Sequence, residues 1–149
     1  MTQVVHKHEG TVDKFIGDGL MAFFGAPNIL KNPAKNAFAA ARDMLLALEQ
    51  MNAEFAAESP APLAIGVGLH IGEAVIGHIG SAERHAYTAI GDTVNTASRL
   101  ESLCKELGYP VLCSKAVADA RGQAEGLTPL GPQALKGRSP ILVFGWRQA

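Results

Sequence analysis

Residues 12–27 read VDKFIGDGLMAFFGAP. Two short apolar runs flank the glycine-bounded turn GDG, a pattern that predicts a β-hairpin. Lys14 and Asp18 stand beside that turn in an otherwise apolar segment, and their presence there needs a reason. Under period-two alternation Lys14 shares a strand face with Val12, Ile16 and Asp18, while Asp13 points to the opposite face. Asp18 is either an ordinary turn aspartate or an oxygen ligand facing outward, because Asp-Gly is a common hairpin dipeptide. Lys14 is either an edge lysine whose stem lies on apolar surface or a donor aimed into a cleft.

Working outward, MTQVVHKHEG has helical spacing but no cap and too few residues for a helix that stands alone. Downstream, Asn32-Pro33 supplies an N-cap and a first-turn proline, and Ala37, Ala41, Met44, Leu45, Leu48, Met51 and Phe55 recur at helical spacing. That amphipathic helix is expected to end before SPAP. LAIGVGLHIG predicts a strand, EAVIGHIG a second β run, SAERHA a polar loop and YTAIGD another short β run. NTASRLESLCKEL follows as a helix with Val94, Ala97, Leu100, Leu103 and Leu107 on one stripe, so Asn95 and Arg99 share a face. PVLCS reads as a strand, KAVADARG as a short helix, and LTPLG and ILVFGW as strands around LKGRSP. Helices alternate with strands, with hairpins among them, which favours an α+β sandwich over a doubly wound parallel sheet.

Composition limits what such a chain does. With 149 residues, of which 48% are hydrophobic and 18% charged, it holds one domain with a substantial core, spanning 1–149. A formal net charge of −1 offers no general attraction to nucleic acid or anionic membrane, so phosphate binding would have to come from placed groups. Cys104 and Cys113 lack zinc spacing and do not suggest a disulfide framework, which fits a reducing, cytoplasmic setting. The apolar runs are cut by Arg42, Asp43 and Glu49 well short of a membrane span, so no insertion into a bilayer is expected.

Two further stretches carry polar groups in suggestive places. Asn95 and Arg99 lie near a helix start, where a guanidinium fork and the helix N-terminus suit an anion; the alternative is a solvated face. In LKGR, Lys136 and Arg138 flank Gly137, making either a plain basic turn or a phosphate-facing loop.

Taken together and in order, GTVDKFIGDGLMAFFGAP, GVGLHIGEAVIGHIGS, YTAIGDTVNTASRLE and LKGRSPILVFGW resemble the catalytic domain of the class III adenylate and guanylate cyclases. The resemblance spans residues 10–146 and implies a ferredoxin-like βαββαβ fold that works as a head-to-tail dimer, homodimeric or with another cyclase chain. It implies that Asp18 is a metal ligand for two Mg²⁺ or Mn²⁺ ions on a nucleoside triphosphate. By the same resemblance Lys14 and Thr88 read the purine, a combination pointing to ATP. Asn95 and Arg99 would serve the ribose and the α-phosphate as catalytic residues, and Lys136 the terminal phosphates. Asp18 would serve one site of the dimer and the other five residues the second, with SAERHA and EAVIGHIG as candidate contacts between copies.

The family pattern ordinarily opens with a further strand bearing another metal-binding aspartate. This sequence shows no such segment, so the fold is expected to be truncated at its N-terminus and the chain by itself weakly active or inactive. Neither Asp13 nor Asp92 is placed to substitute. The parent is expected to be a longer protein, with membrane anchoring left open. Two alternatives stand beside an adenylate cyclase: a non-catalytic nucleotide-binding or dimerising homologue, and a guanylate cyclase.

Overall fold

The structure is a computed structural model and describes residues 1–58, 61–122 and 126–149. Its elements run α1 (Thr2–Lys7), β1 (Thr11–Ile16), β2 (Gly19–Phe23), α2 (Pro33–Glu54), β3 (Val67–Leu69), β4 (Val75–Gly80), β5 (His85–Ile90), α3 (Asp92–Leu107), β6 (Val111–Ser114), α4 (Lys115–Arg121), β7 (Thr128–Gln133) and β8 (Ile141–Trp146). The mixed α/β arrangement is the expected one. α2 ends at Glu54, before SPAP as expected, and Ser59 and Pro60 of that stretch lie outside the described residues.

Four strands form one sheet in the order β3-β6-β8-β7. β3 and β6 are parallel, joined by a crossover that contains α3, and the other two pairings are antiparallel. All four residues of β6 are buried because both faces of the sheet are covered. On one face Leu112 and Val143 pack against Leu100 and Cys104 of α3. On the other, Val111 meets Phe38 and Ala41 of α2, and Cys113 meets Ala34 and Val117. Leu100 and Leu112 are fully buried, and each stabilises the fold by about 1.5–3 kcal/mol through burial alone.

Two details decide where the chain's ends and edges sit. Six-residue α1 is held by tertiary contact: Val5 is fully buried, and Asp43 of α2 accepts from Lys7 at 2.9 Å and contacts His8 Nε2 at 2.8 Å. These two partners hold the Asp43 carboxyl below its ordinary pKa. β3 is three residues long, shorter than LAIGVGLHIG suggested, and α3 packs closely over it: a Cβ on Gly68 would lie 2.2 Å from the Ala97 carbonyl oxygen and 2.4 Å from Glu101 N.

The remaining strands form two separate hairpins. β1 and β2 are joined by Gly17 and Asp18, with Gly17 at φ +59 in the first turn position, where a two-residue hairpin favours glycine. β4 and β5 pair antiparallel along their whole length, so the strand expected at YTAIGD begins two residues earlier, at His85.

Candidate active site

The β1–β2 hairpin departs from simple alternation at the residue that matters most. Val12 pairs with Ala22 and Lys14 with Met21, leaving Asp13 as an extra residue in a β-bulge. The expectation that Val12 and Lys14 share a face by period two is therefore corrected, since a bulge resets the alternation on either side of it. Asp13 turns beneath β5. Its side chain is 1% exposed and accepts hydrogen bonds from Thr88 Oγ1 at 2.7 and 2.9 Å and from Ala89 N at 3.0 Å. Lys14 Nζ lies 3.5 Å from Asp13 Oδ1 on a half-exposed side chain. Lys14 and Thr88, 74 positions apart, are thus gathered around one carboxylate. Sequence reasoning missed Asp13 as the joining group; its one signal was a charged Asp-Lys pair in the middle of a strand.

A second cluster lies one short step along the chain. β5 ends at Ile90, Gly91 forms the cap and α3 begins at Asp92, so Asn95 sits one helical turn into α3, exposed. Arg99 follows one turn later and is half-buried. Its guanidinium lies against the β7–β8 turn: a Cβ on Gly137 would be 3.5 Å from Arg99 Nη2. Lys136, exposed, precedes that glycine, and Arg138 follows it. Arg138 Nη1 donates to Thr96 Oγ1 at 2.7 Å and to Asp92 at 3.3 Å, which ties the turn to the first turns of α3. Of the two basic residues in LKGR, one is therefore a tether and the other faces solvent.

Asp18 stands apart from both clusters, exposed at the hairpin tip beyond the last pair, Ile16 with Gly19. Among the described residues no three His, Cys, Asp or Glu side chains come together as a ready-made metal cage. A lone exposed carboxylate still suits Mg²⁺ or Mn²⁺, which is commonly held by one or two carboxylates together with water and substrate phosphates. The residues present fit that kind of site and no all-protein one.

His70, just after β3, backs this region. Its Nδ1 lies 2.8 Å from Ser114 Oγ, and burial, followed by the positive charge of Arg138, lowers its pKa, with Asp92 opposing. In acid the unfolded chain therefore takes up a proton at His70 before the folded chain does. Stability contributed by neutral His70 is complete above the unfolded value of about 6.5 and is lost as pH falls below it. Thermal melts at pH 7.5 and 5.5 should show a larger fall in Tm for the wild type than for His70→Gln. Equal falls would remove His70 from this role.

The comparisons with known proteins agree on a family. The profile of the adenylate and guanylate cyclase catalytic domain matches residues 1–145. The chain belongs to the adenylate and guanylate cyclase catalytic domain family. Adenylate cyclase 1 of Rhizobium meliloti is 39% identical over 141 residues, covering 95% of this chain and 21% of the relative. The chain thus spans about a fifth of the length of the curated relatives it matches. Among solved structures, the adenylyl cyclase CyaB from P. aeruginosa is similar with a TM-score of 0.83 at 30% identity, over 99% of this chain and 76% of that one. The guanylyl cyclase Cya2 is similar with the same TM-score at 31% identity, over 97% and 73%. The cyclase domain is thus equally near to structures named for either purine, and its own side chains must decide between them. Among the described residues, no helix is long and apolar enough to cross a membrane.

Proposed function

We infer that this cyclase domain acts on ATP, closing the 3′-hydroxyl onto the α-phosphate to give 3′,5′-cyclic AMP and releasing pyrophosphate. The observation that carries the reading is the gathering of Lys14 and Thr88 around Asp13. An ammonium donates and a hydroxyl oxygen accepts, matching the N1 acceptor and amino donor of adenine. Asn95 is assigned to orienting the ribose, and Arg99 to the charge that builds on the α-phosphate as the bond to pyrophosphate breaks. Lys136, exposed beside Arg99, is assigned to the terminal phosphates. Asp18 would hold Mg²⁺ or Mn²⁺, which when bound activates the attacking hydroxyl and neutralises phosphate charge.

This assignment calls for a head-to-tail dimer, because Asp18 sits at the exposed hairpin tip, beyond the last pair of β1 and β2, and would serve the site built by the other residues of a second copy. Phe15 and Ile16 of β1 and Val75, Ile76 and Ile90 of the second hairpin are large apolar side chains left exposed, as a surface meant to be covered would leave them. The solitary position of Asp18 also favours a second reading, in which the domain binds nucleotide or pairs with another cyclase chain without turnover of its own. The guanylate cyclase reading rests on the likeness to Cya2 and lacks support from Lys14, which donates where guanine also presents a donor.

Lys14→Glu tests the base assignment. Exchanging a charged donor for an acceptor should shift the ATP:GTP ratio toward GTP by roughly 10- to 100-fold, the worth of one charge-assisted hydrogen bond. An unchanged ratio, measured as product from each nucleotide, would remove Lys14 from base recognition.

A further inference from the structure

We propose that Asp13 is a positioning residue that fixes the hydrogen-bond polarity of Thr88, so that the base site receives an amino group and refuses a carbonyl. The proposal rests on the reading of Thr88 as a base contact and extends it. A threonine hydroxyl has one proton to give and lone pairs with which to accept, and left free it rotates to suit either kind of partner. Here it is not free. Both oxygens of Asp13 lie within 2.9 Å of Thr88 Oγ1, and an ionised carboxylate only accepts. The hydroxyl proton is therefore committed inward, and only the lone pairs remain for a ligand.

Three features around the pair reinforce that commitment. Thr88 is 7% exposed and the Asp13 side chain 1% exposed, so little water competes for the hydroxyl. Ala89 N donates to the same Asp13 Oδ2 at 3.0 Å, which prevents the carboxylate from swinging away. The bulge between Val12 and Lys14 turns Asp13 under β5, and Lys14 lies 3.5 Å from Oδ1. The resulting edge offers one donor, Lys14, and one acceptor, Thr88. Adenine presents the complement, an acceptor at N1 and an amino group at C6. Guanine presents a proton at N1 and an oxygen at C6, so both contacts would set like against like.

Asparagine at position 13 separates this role from simple support of the hairpin. Its amide oxygen can keep the Ala89 contact while its nitrogen donates to Thr88, which frees the hydroxyl proton to turn outward. Equilibrium binding of ATP and of GTP, each with Mn²⁺, to the wild-type chain, Asp13→Asn, Thr88→Val and the double variant gives the test. The wild type should prefer ATP, either single variant should lower the ATP:GTP affinity ratio by roughly 10-fold, and the double variant should lower it no further. A ratio retained in Asp13→Asn but lost in Thr88→Val overturns the proposal and leaves the base reading standing. A ratio retained in Thr88→Val, or absent from the wild type, overturns the base reading and the proposal with it. Should Asp13→Asn fail to fold, the wild type supplies the answer with two other probes. Purine riboside triphosphate, which lacks the amino group, should bind more weakly than ATP, and inosine triphosphate more weakly still. Either one binding as tightly as ATP would overturn the proposal.

Discussion

Arg99→Ala is expected to lower the turnover of ATP by roughly 10²–10³-fold while changing its KM only a few-fold. The reason lies in where the guanidinium is held. Arg99 leaves α3 one turn after Asn95 and its guanidinium lies over Gly137, so the β7–β8 turn backs it. Arg138 pins that turn to Thr96 and Asp92 on the same helix, so the charge is positioned before any substrate arrives. A preorganised donor aimed at charge that grows only in the transition state acts on kcat, and removal of one such donor typically costs ~10²–10³-fold. Arg99→Lys should recover only part of the loss, because an ammonium cannot reproduce the planar fork. Steady-state cyclic nucleotide production by the chain extended upstream through a first strand is the measurement. An unchanged kcat in Arg99→Ala would remove Arg99 from the reaction.

Gly68→Val is expected to destabilise the domain by ~3 kcal/mol or more, lowering Tm by roughly 6–12 °C. α3 lies so close to β3 that a Cβ at Gly68 would meet the backbone of Ala97 and Glu101, at 2.2 Å from one and 2.4 Å from the other. Backbone cannot step aside as a side chain can, so helix and strand would have to separate. Separation would open the contact between Leu100 and Leu112 and shift Asn95 and Arg99, which ride on the same helix. Loss of stability and loss of activity are therefore expected together. A thermal melt of the variant that matches the wild type would show that α3 does not rest on β3 as described.

Much of this architecture was legible in the amino-acid sequence because local chemistry specified it. The glycine-bounded turn at Asp18, the Asn32-Pro33 start of α2 and the apolar spacing of α3 each announce an element within a few residues, and the structure has all three. Asn32 Oδ1 caps the helix by accepting from Lys35 N at 3.0 Å. What sequence reasoning missed depended on long-range contact. The bulge at Asp13 is an irregularity of pairing that alternation cannot register, and the partner that turns Asp13 inward lies 75 residues away. Likewise, LAIGVGLHIG has ten residues of strand composition, yet β3 pairs with β6 over only three, and Gly66 and Gly68 leave room for the close approach of α3. The stripe expected on α3 named Leu100, Leu103 and Leu107 but omitted Thr96 and Cys104, both of which are buried. A polar threonine and a small thiol do not stand out in a hydrophobic pattern.

We propose that this cyclase domain is built for adenine. The most direct measurement is production of cyclic AMP from ATP and of cyclic GMP from GTP, with Mn²⁺, by the chain and by the chain extended upstream through a first strand. Cyclic AMP is expected from the extended form, at a rate at least ~10-fold above cyclic GMP, as one well-matched hydrogen bond to the base would give. Cyclic GMP formed as fast as cyclic AMP, or no cyclic nucleotide from either form, would contradict the proposal.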